Sequence, residues 1–552
     1  MSTRPSAISV SDLHFAWPDG TPVFAGLSFA VDARRVGIVG HNGSGKTTLL
    51  RLLSGRLRPD RGSIRRAGSL GYLSQDLPLR VDARVDELLG IASVRRALAT
   101  VEAGDVSEAV LETIGDAWDI EERARALLER LGLELGLDRR IGEISGGEAV
   151  LLGLAAELLH EPDVLLLDEP TNNLDRSGRA RLVEVVRSFR GALVVVSHDE
   201  QLLEHVDQIG DLHDDEIEWY GGNLAAYREA LALEQEAAER AVRIAEADVR
   251  RQRRELAAAH IKLDRRRRYG QKMWDTKREP KIVMGARKRE AQVSAGKHRM
   301  MHEERLTSAR ERLTQAEDGV RDDAPIRIDL PGTELPEGRV VLRMEDVELR
   351  NGVRGSLEVR GPERIAVVGA NGSGKSTLLH TIAGELAPNA GGCELRVPAR
   401  LLPQRIDIVD NDLSVVENVA RFAPGSDENR RRARLARFHF RGRAADQQVS
   451  TLSGGERFRA AIAALLLAEP APQLLMLDEP TNNLDFASID QLVSALENYR
   501  GALLVASHDQ TFLRQLHLTR YVEMTPDRFA TTSTPPSPSR ATGSRARGGP
   551  RP

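Results

Sequence analysis

Gly40-His41-Asn42-Gly43-Ser44-Gly45-Lys46-Thr47 recurs, 329 residues further along the chain, as Gly369-Ala370-Asn371-Gly372-Ser373-Gly374-Lys375-Ser376. Each octapeptide has the form G-x-x-x-x-G-K-[ST], follows an apolar run (Val36 to Val39, Ile365 to Val368) and precedes a helix expected to begin at the lysine. Glycines in such a loop let successive backbone N–H groups turn inward on a phosphate, and the helix N-terminus adds positive potential. The spacing therefore makes Lys46 and Lys375 candidates for the β- and γ-phosphates of a nucleotide, with Thr48 and Thr377 beside them. Thr47 and Ser376 become candidate ligands of Mg²⁺.

The repeat extends outward from these loops. Asp168-Glu169-Pro170-Thr171-Asn172-Asn173-Leu174-Asp175 returns unchanged as Asp478 to Asp485, and Ser197-His198-Asp199 returns as Ser507-His508-Asp509. Lys46 to Gln75 and Lys375 to Gln404 are both 29 residues, as are Glu169 to His198 and Glu479 to His508. Only the interval from Gln75 to Ser145 (70 residues) departs from its counterpart, Gln404 to Ser453 (49 residues). The first half thus carries an insertion of 21 residues around positions 93–130. Asp168 and Asp478 each close an apolar strand, where a carboxylate can hold Mg²⁺. Glu169 and Glu479 follow directly and are placed to take a proton from an attacking water.

Between the halves the composition changes. From about Leu231 to Asp323 charged residues and Ala dominate, and two long polar helices are expected over Glu236 to Leu263 and Arg287 to Glu317, with a turn from Arg268 to Gly285. Residues 262–290 hold 12 Lys/Arg against 4 Asp/Glu, net +8 inside a chain of net charge -4. Arg265, Arg266, Arg267, Arg268, Lys277 and Arg278 flank Tyr269, Met273 and Trp274 there. Cations interleaved with aromatics suit RNA, by phosphate neutralisation and base stacking. After Thr525 the chain is rich in Ser, Thr, Pro and Gly, and 526–552 is expected to be a disordered tail.

At 552 residues the chain exceeds one core. The expected divisions are 6–230, 231–325, 326–525 and the tail. The one cysteine, Cys393, excludes an internal disulfide framework and a Cys-based metal cluster. No apolar run approaches the length of a membrane span, and Met1 to Asp12 lacks a signal-peptide pattern, so the expected location is cytoplasmic. Strands alternating with helices in each half imply an α/β fold with a parallel sheet.

Ile144-Ser145-Gly146-Gly147-Glu148 and Leu452-Ser453-Gly454-Gly455-Glu456 resemble the signature motif of ATP-binding cassettes. Gln75 and Gln404 are similar to the Q-loop glutamine, which assists the metal, Asp175 and Asp485 to the D-loop aspartate, and His198 and His508 to the switch histidine. Trp17 resembles the aromatic that stacks on adenine, while Asn351 stands opposite it in the second half. Two cassettes on one chain with a charged helical linker resemble the ABC-F family over about Ile8 to Tyr521. The resemblance implies two P-loop cassettes, each a mixed sheet with a helical subdomain, joined by a long α-helical hairpin. It implies ATP and Mg²⁺ as ligands, ATP hydrolysis, and head-to-tail closure that places one ATP between Lys46 and Ser453 and the other between Lys375 and Ser145. The 93–130 insertion corresponds to the family's arm. The implied partner is the ribosome, with the protein in the E site and the linker tip near P-site tRNA and rRNA. The role is that of a translation factor or an antibiotic-resistance factor of the actinobacterial type, in a chain that works as a monomer. A transporter ATPase with a separate membrane subunit and an ABC-F paralogue acting on branched DNA are the alternatives. The long basic linker argues against the first, and the tail, which lacks a coiled coil, against the second.

Overall fold

The computed structural model describes residues 6–32, 34–75, 82–172, 174–213, 215–275, 300–317, 326, 330–405, 407–482 and 484–532; within 215–275 the side chains of 263, 266, 267, 269–271 and 273–275 are excepted. The expected contacts of Lys277 and Arg278, the side chains of Arg266, Arg267 and Trp274, and residues 533–552 lie outside that description. The chain forms two compact units, one of Met1–Leu224 with Pro325–Pro552, the other of Ala225–Ala324.

The first unit holds both halves of the repeat. In the first half, β1 (Ile8–Ala16) pairs antiparallel with β2 (Pro22–Val31) and with β4 (Arg61–Arg66). A six-stranded sheet carries the motifs: β5 (Leu70–Leu73), β6 (Val164–Asp168), β7 (Ala192–Val196), β3 (Arg35–Val39), β8 (Gln208–His213) and β9 (Glu216–Gly221), in that spatial order. All neighbours run parallel except β9. β6 is buried along its whole length, which is why its sequence, VLLLD, reads as a continuous apolar run rather than an alternation.

The helices of this half begin where the sequence supplies a cap. α1 (Lys46–Ser54) starts after Gly45, whose φ of 93° is left-handed and whose absent Cβ would meet Val23 Cγ1 at 2.8 Å. α6 (Gly146–Leu159) is capped by Ser145, whose hydroxyl accepts from Glu148 N while the Glu148 carboxylate accepts from Ser145 N, a capping box written as S-G-G-E. α7 (Arg176–Ser188) and α8 (Glu200–Leu203) are capped by Asp175 and Asp199. The insertion folds as α3 (Ala92–Glu102), α4 (Glu108–Ile114) and α5 (Ile120–Arg130), after the short α2 (Val85–Leu88). Arg95 ties them to the cassette, pairing with Asp86 at 2.5 Å and Glu121 at 2.9 Å.

The second half repeats this plan. β10 (Val340–Glu348) pairs with β11 (Arg354–Arg360) and β13 (Ala390–Leu395). The larger sheet runs β14 (Ala399–Leu402), β15 (Leu474–Asp478), β16 (Ala502–Ala506), β12 (Arg364–Gly369), β17 (Arg520–Met524), β18 (Phe529–Thr532). One correction concerns the expected tail from 526. Phe529 is buried and β18 pairs antiparallel with β17, so ordered chain continues to 532. A lone aromatic in a polar stretch is enough here, because it caps an apolar sheet edge beside Gly355.

A single helix, α9 (Leu224–Asp275), spans 52 residues and, from Ala225 on, belongs to the second unit; Leu224 and Tyr227 in its first turn are buried. Residues 300–317 form a second helix, α10. The two are joined by Val249, Leu306 and Ala309, with Leu256 and Leu313 packed on them, and by an ion pair of Arg312 with Asp248 at 3.0 Å. Solvent-facing pairs at i,i+4, Glu236–Arg240, Glu239–Arg243 and Glu246–Arg250, support the polar face. The helix differs from the expected turn at Arg268. A glycine inside a helix, here Gly270, costs only about 1 kcal/mol, and no proline intervenes before Pro280. Arg265 and Arg268 are therefore exposed on a helix.

Candidate active site

The glycine loops, the Asp-Glu pairs and the Ser-His-Asp segments sit at the carboxyl ends of parallel strands or in the turns that follow, the edge at which open α/β sheets present ligand sites, while the two Ser-Gly-Gly-Glu segments open helices α6 and α14 (Gly454–Leu466). β3 and β12 deliver the glycine loops, β6 and β15 the Asp-Glu pairs, β7 and β16 the Ser-His-Asp segments. Helix α11 (Lys375–Ile382) matches α1 in starting at the loop lysine. Lys46 Nζ donates to the carbonyls of Gly40 and His41 at 2.7 and 2.8 Å, and Lys375 Nζ to those of Gly369 and Ala370 at 3.0 and 3.2 Å. Burial pulls both ammonium groups down from their ordinary pKa, opposed by Glu169 at the first site and Glu479 at the second. Ser44 Oγ and Ser373 Oγ are buried without a hydrogen-bond partner among the described residues, as expected of hydroxyls in a loop built for anionic oxygens.

Glu169 and Glu479 have φ of 46° and 44°, in the left-handed region that costs a non-glycine residue roughly 1–3 kcal/mol. Their amides donate to Val196 O and Ala506 O at 2.8 Å, which holds the strained turn in place. Burial pushes Glu169 up to about 8 and Glu479 up to about 7 from 4.5, opposed by Lys46 and Lys375 respectively. His198 Nε2 lies 3.5 Å from Glu169 Oε1, and His508 Nε2 lies 3.4 Å from Glu479 Oε1. Burial and the neighbouring lysine hold both imidazoles down at about 3, so they are neutral at physiological pH.

The donor set at the strand ends suits a hard cation. Thr47 Oγ1 donates to Asp168 Oδ1 at 3.0 Å, and Ser376 bonds Asp478 in the same way. Asp478 Oδ1 is buried without a hydrogen-bond partner among the described residues, which leaves a carboxylate oxygen of the kind a hard cation takes as a ligand. Gln75 and Gln404, assigned to the metal by resemblance, are exposed beyond β5 and β14.

The two halves meet head to tail within the first unit. Asn42 N donates to Asp485 Oδ2 at 3.1 Å, and His41 Nδ1 lies 3.6 Å from the same oxygen. Gly454, in the first turn of α14 (Gly454–Leu466), approaches Asn42 so closely that a Cβ on it would lie 3.4 Å from the Asn42 side chain. Ser453 caps α14 through a capping box with Glu456, as Ser145 caps α6. The first glycine loop thus faces the second signature helix. On the other side, the charges of Asp175 and Arg179 reach His508, and Arg179 pairs with Asp199 at 3.0 Å.

The two sites are not copies. Trp17 packs edge-on against Phe15, centroids 5.3 Å apart at 80°, and it is Val23 and Phe24 that meet Gly45. Asn351 holds their place in the second half, its amide lying against Gly374. Two contacts escaped sequence reasoning. Tyr72 OH donates to Asp168 Oδ2 at 3.1 Å, and its hydroxyl is pushed up to about 12, first by burial and then by that carboxylate. Phe486 packs edge-on against His198 of the other half, centroids 5.6 Å apart at 76°. Comparing the repeats residue by residue would have flagged both positions, where Tyr72 stands opposite Leu401 and Phe486 opposite Arg176.

Comparison with known proteins agrees with this geometry. A model of the ABC transporter family matches residues 25–172 and 354–482, one stretch in each half of the repeat. The tylosin resistance ATP-binding protein TlrC of Streptomyces fradiae is 33% identical over 92% of this chain and 96% of its own length. The energy-dependent translational throttle protein EttA of Mycobacterium tuberculosis is 30% identical over 88% of this chain and 86% of its own. Among solved structures, the archaeal ribosome recycling factor aABCE1, in complex with the stalk protein aP1, superposes with a TM-score of 0.55, at 20% identity, over 94% of this chain and 89% of that one. These matches define a tandem ATP-binding cassette ATPase. The chain belongs to the ABC-F family. No helix among the described residues is long and apolar enough to cross a membrane.

Proposed function

We propose that this ATPase binds the ribosome at the E site and acts on translation there as a cytoplasmic, monomeric protection factor against an antibiotic. The observation that carries this reading is the +8 charge within residues 262–290, which is without parallel in the rest of an acidic chain. It is supported by relatives whose names specify tylosin resistance and translational throttling. In this reading Arg265, Arg266, Arg267, Arg268, Lys277 and Arg278 neutralise rRNA or tRNA phosphates, and Trp274 stacks at the peptidyl-transferase region.

ATP is held between the Lys46 loop and Ser453, and between the Lys375 loop and Ser145, so that bound nucleotide closes the two cassettes upon each other. Thr47, Asp168 and Gln75 at one site, and Ser376, Asp478 and Gln404 at the other, would hold Mg²⁺, which would supply charge to offset the phosphates. Glu169 and Glu479 accept the proton of the attacking water. Each must first lose its own proton, and the adjacent lysine favours that loss. His198 and His508, being neutral, can hydrogen-bond a terminal phosphate without adding charge.

Cosedimentation with ribosomes tests the reading. A variant with Arg265 to Arg268 changed to Glu, in a Glu169→Gln, Glu479→Gln background that holds the cassettes closed, is expected to leave the ribosomal pellet, and its salt dependence is expected to flatten. With both glutamates intact, the same charge reversal is expected to keep wild-type ATPase activity. Undiminished sedimentation of the charge-reversed protein would overturn the ribosomal reading.

A further inference from the structure

We propose that Phe486, the residue after the second D-loop aspartate, is a positioning residue that holds the switch histidine of the opposite cassette and thereby sets the two ATP sites apart in rate. This rests on the reading that Glu169 and His198 serve hydrolysis beside Lys46.

The contact crosses between cassettes. Phe486 opens α15 (Phe486–Glu497), the helix capped by Asp485, whose Oδ1 accepts from Ser488 N at 2.9 Å. The other oxygen of Asp485 accepts from Asn42 N in the first glycine loop. The aspartate is buried, so it fixes the start of α15 against that loop and leaves Phe486 little freedom. The ring then meets His198 edge-on at 5.6 Å, a geometry favoured by the opposed charges of ring edge and ring face.

His198 depends on this contact because it has little else. Its side chain is 10% exposed, and neither ring nitrogen has a hydrogen-bond partner among the described residues. Beyond Glu169, whose Oε1 lies 3.5 Å from Nε2, such an imidazole is held by packing, and Phe486 supplies an aromatic wall from the other cassette. His508 is held in another way. The residue after Asp175 is Arg176, which is exposed, and His508 Nε2 instead bonds Lys375 Nζ at 2.7 Å. At the Lys375 site the lysine must let go of the histidine before it can meet a terminal phosphate. At the Lys46 site no such bond has to break, since Lys46 Nζ bonds only loop carbonyls among the contacts described. Phe486 thus does from across the interface what Lys375 does within its own cassette, without occupying the lysine.

The test separates the sites by disabling one base at a time. In a Glu479→Gln background only the Lys46 site turns over; in a Glu169→Gln background only the Lys375 site does. Phe486→Ala is expected to lower kcat about tenfold in the first background with KM within about twofold, and to leave kcat in the second within about twofold. Phe486→Tyr, which keeps the ring, is expected to restore the first. Equal losses in both backgrounds would reduce Phe486 to a structural residue of its helix and overturn the proposal, as would no loss in either. Should the double glutamine variant hydrolyse ATP at the wild-type rate, the assignment of the bases falls, and the proposal falls with it.

Discussion

The Lys46 and Lys375 sites share every motif yet are furnished from different stock. Around Lys46 stand Tyr72 on the metal-side aspartate, His41 against Asp485, Val23 and Phe24 against the glycine loop, and Phe486 on the switch histidine. Around Lys375 the matching positions are Leu401, Ala370, Asn351 and Arg176. The groups that do the chemistry were duplicated, while the groups that hold them were not. Identical catalytic residues therefore do not imply identical rates.

The largest effect that could break this comparison comes from the bases. Changing both Glu169 and Glu479 to Gln is expected to cut turnover by on the order of 10² while ATP binding survives, as measured by steady-state hydrolysis beside a nucleotide titration. Singly, Glu169→Gln should cost more than Glu479→Gln, because the Lys46 site needs no lysine–histidine bond to break. Equal single losses would leave the asymmetry without kinetic meaning. A smaller effect belongs to the adenine side. Trp17→Ala is expected to weaken nucleotide binding by about 1 kcal/mol, about fivefold, while Asn351→Ala changes it little. Tyr72→Phe removes one hydrogen bond to Asp168 and should lower the unfolding free energy by about 1 kcal/mol in a denaturant titration. Leu401→Tyr at the matching position should not repay that loss.

The smallest signature is in pH. Both buried glutamates are raised above 4.5, so the native state binds their protons more readily than the unfolded chain does. The stability this contributes is complete below about 4.5 and is lost as pH rises, through about 7 for Glu479 and about 8 for Glu169. Glu169→Gln should therefore flatten the melting temperature between pH 7 and 8, and Glu479→Gln should not. A profile in that interval that is the same in both variants would place the two carboxyls in equivalent surroundings.

Much of this was legible because the information was local or repeated. Apolar runs leading into a glycine loop located β3 and β12, and apolar runs closed by an aspartate located β6 and β15. S-G-G-E located the capped starts of α6 and α14. The repeat, with the family resemblance it supported, supplied the pairing of halves that puts Asn42 against Asp485. What stayed hidden depends on contacts far apart in sequence. Phe486 lies 288 residues from His198, and no spacing rule connects them. Tyr72 reads as one more apolar strand residue until β5 is laid beside β6. The reach of α9 was underestimated because Gly270 looked like an ending, and β18 was missed because one phenylalanine does not make a periodic pattern.

That last strand has a consequence for handling the protein. β18 is the outermost strand of its sheet and covers one side of β17, as β9 covers β8 in the first half. Trimming the polar end of the chain at 525, a natural cut on composition alone, would bare the backbone donors and acceptors of β17 and uncover the apolar surface beneath Phe529. An unpaired parallel sheet of that kind is a template for pairing with other molecules. Shortened forms should stop no earlier than 532, or precipitation will be mistaken for a lost activity.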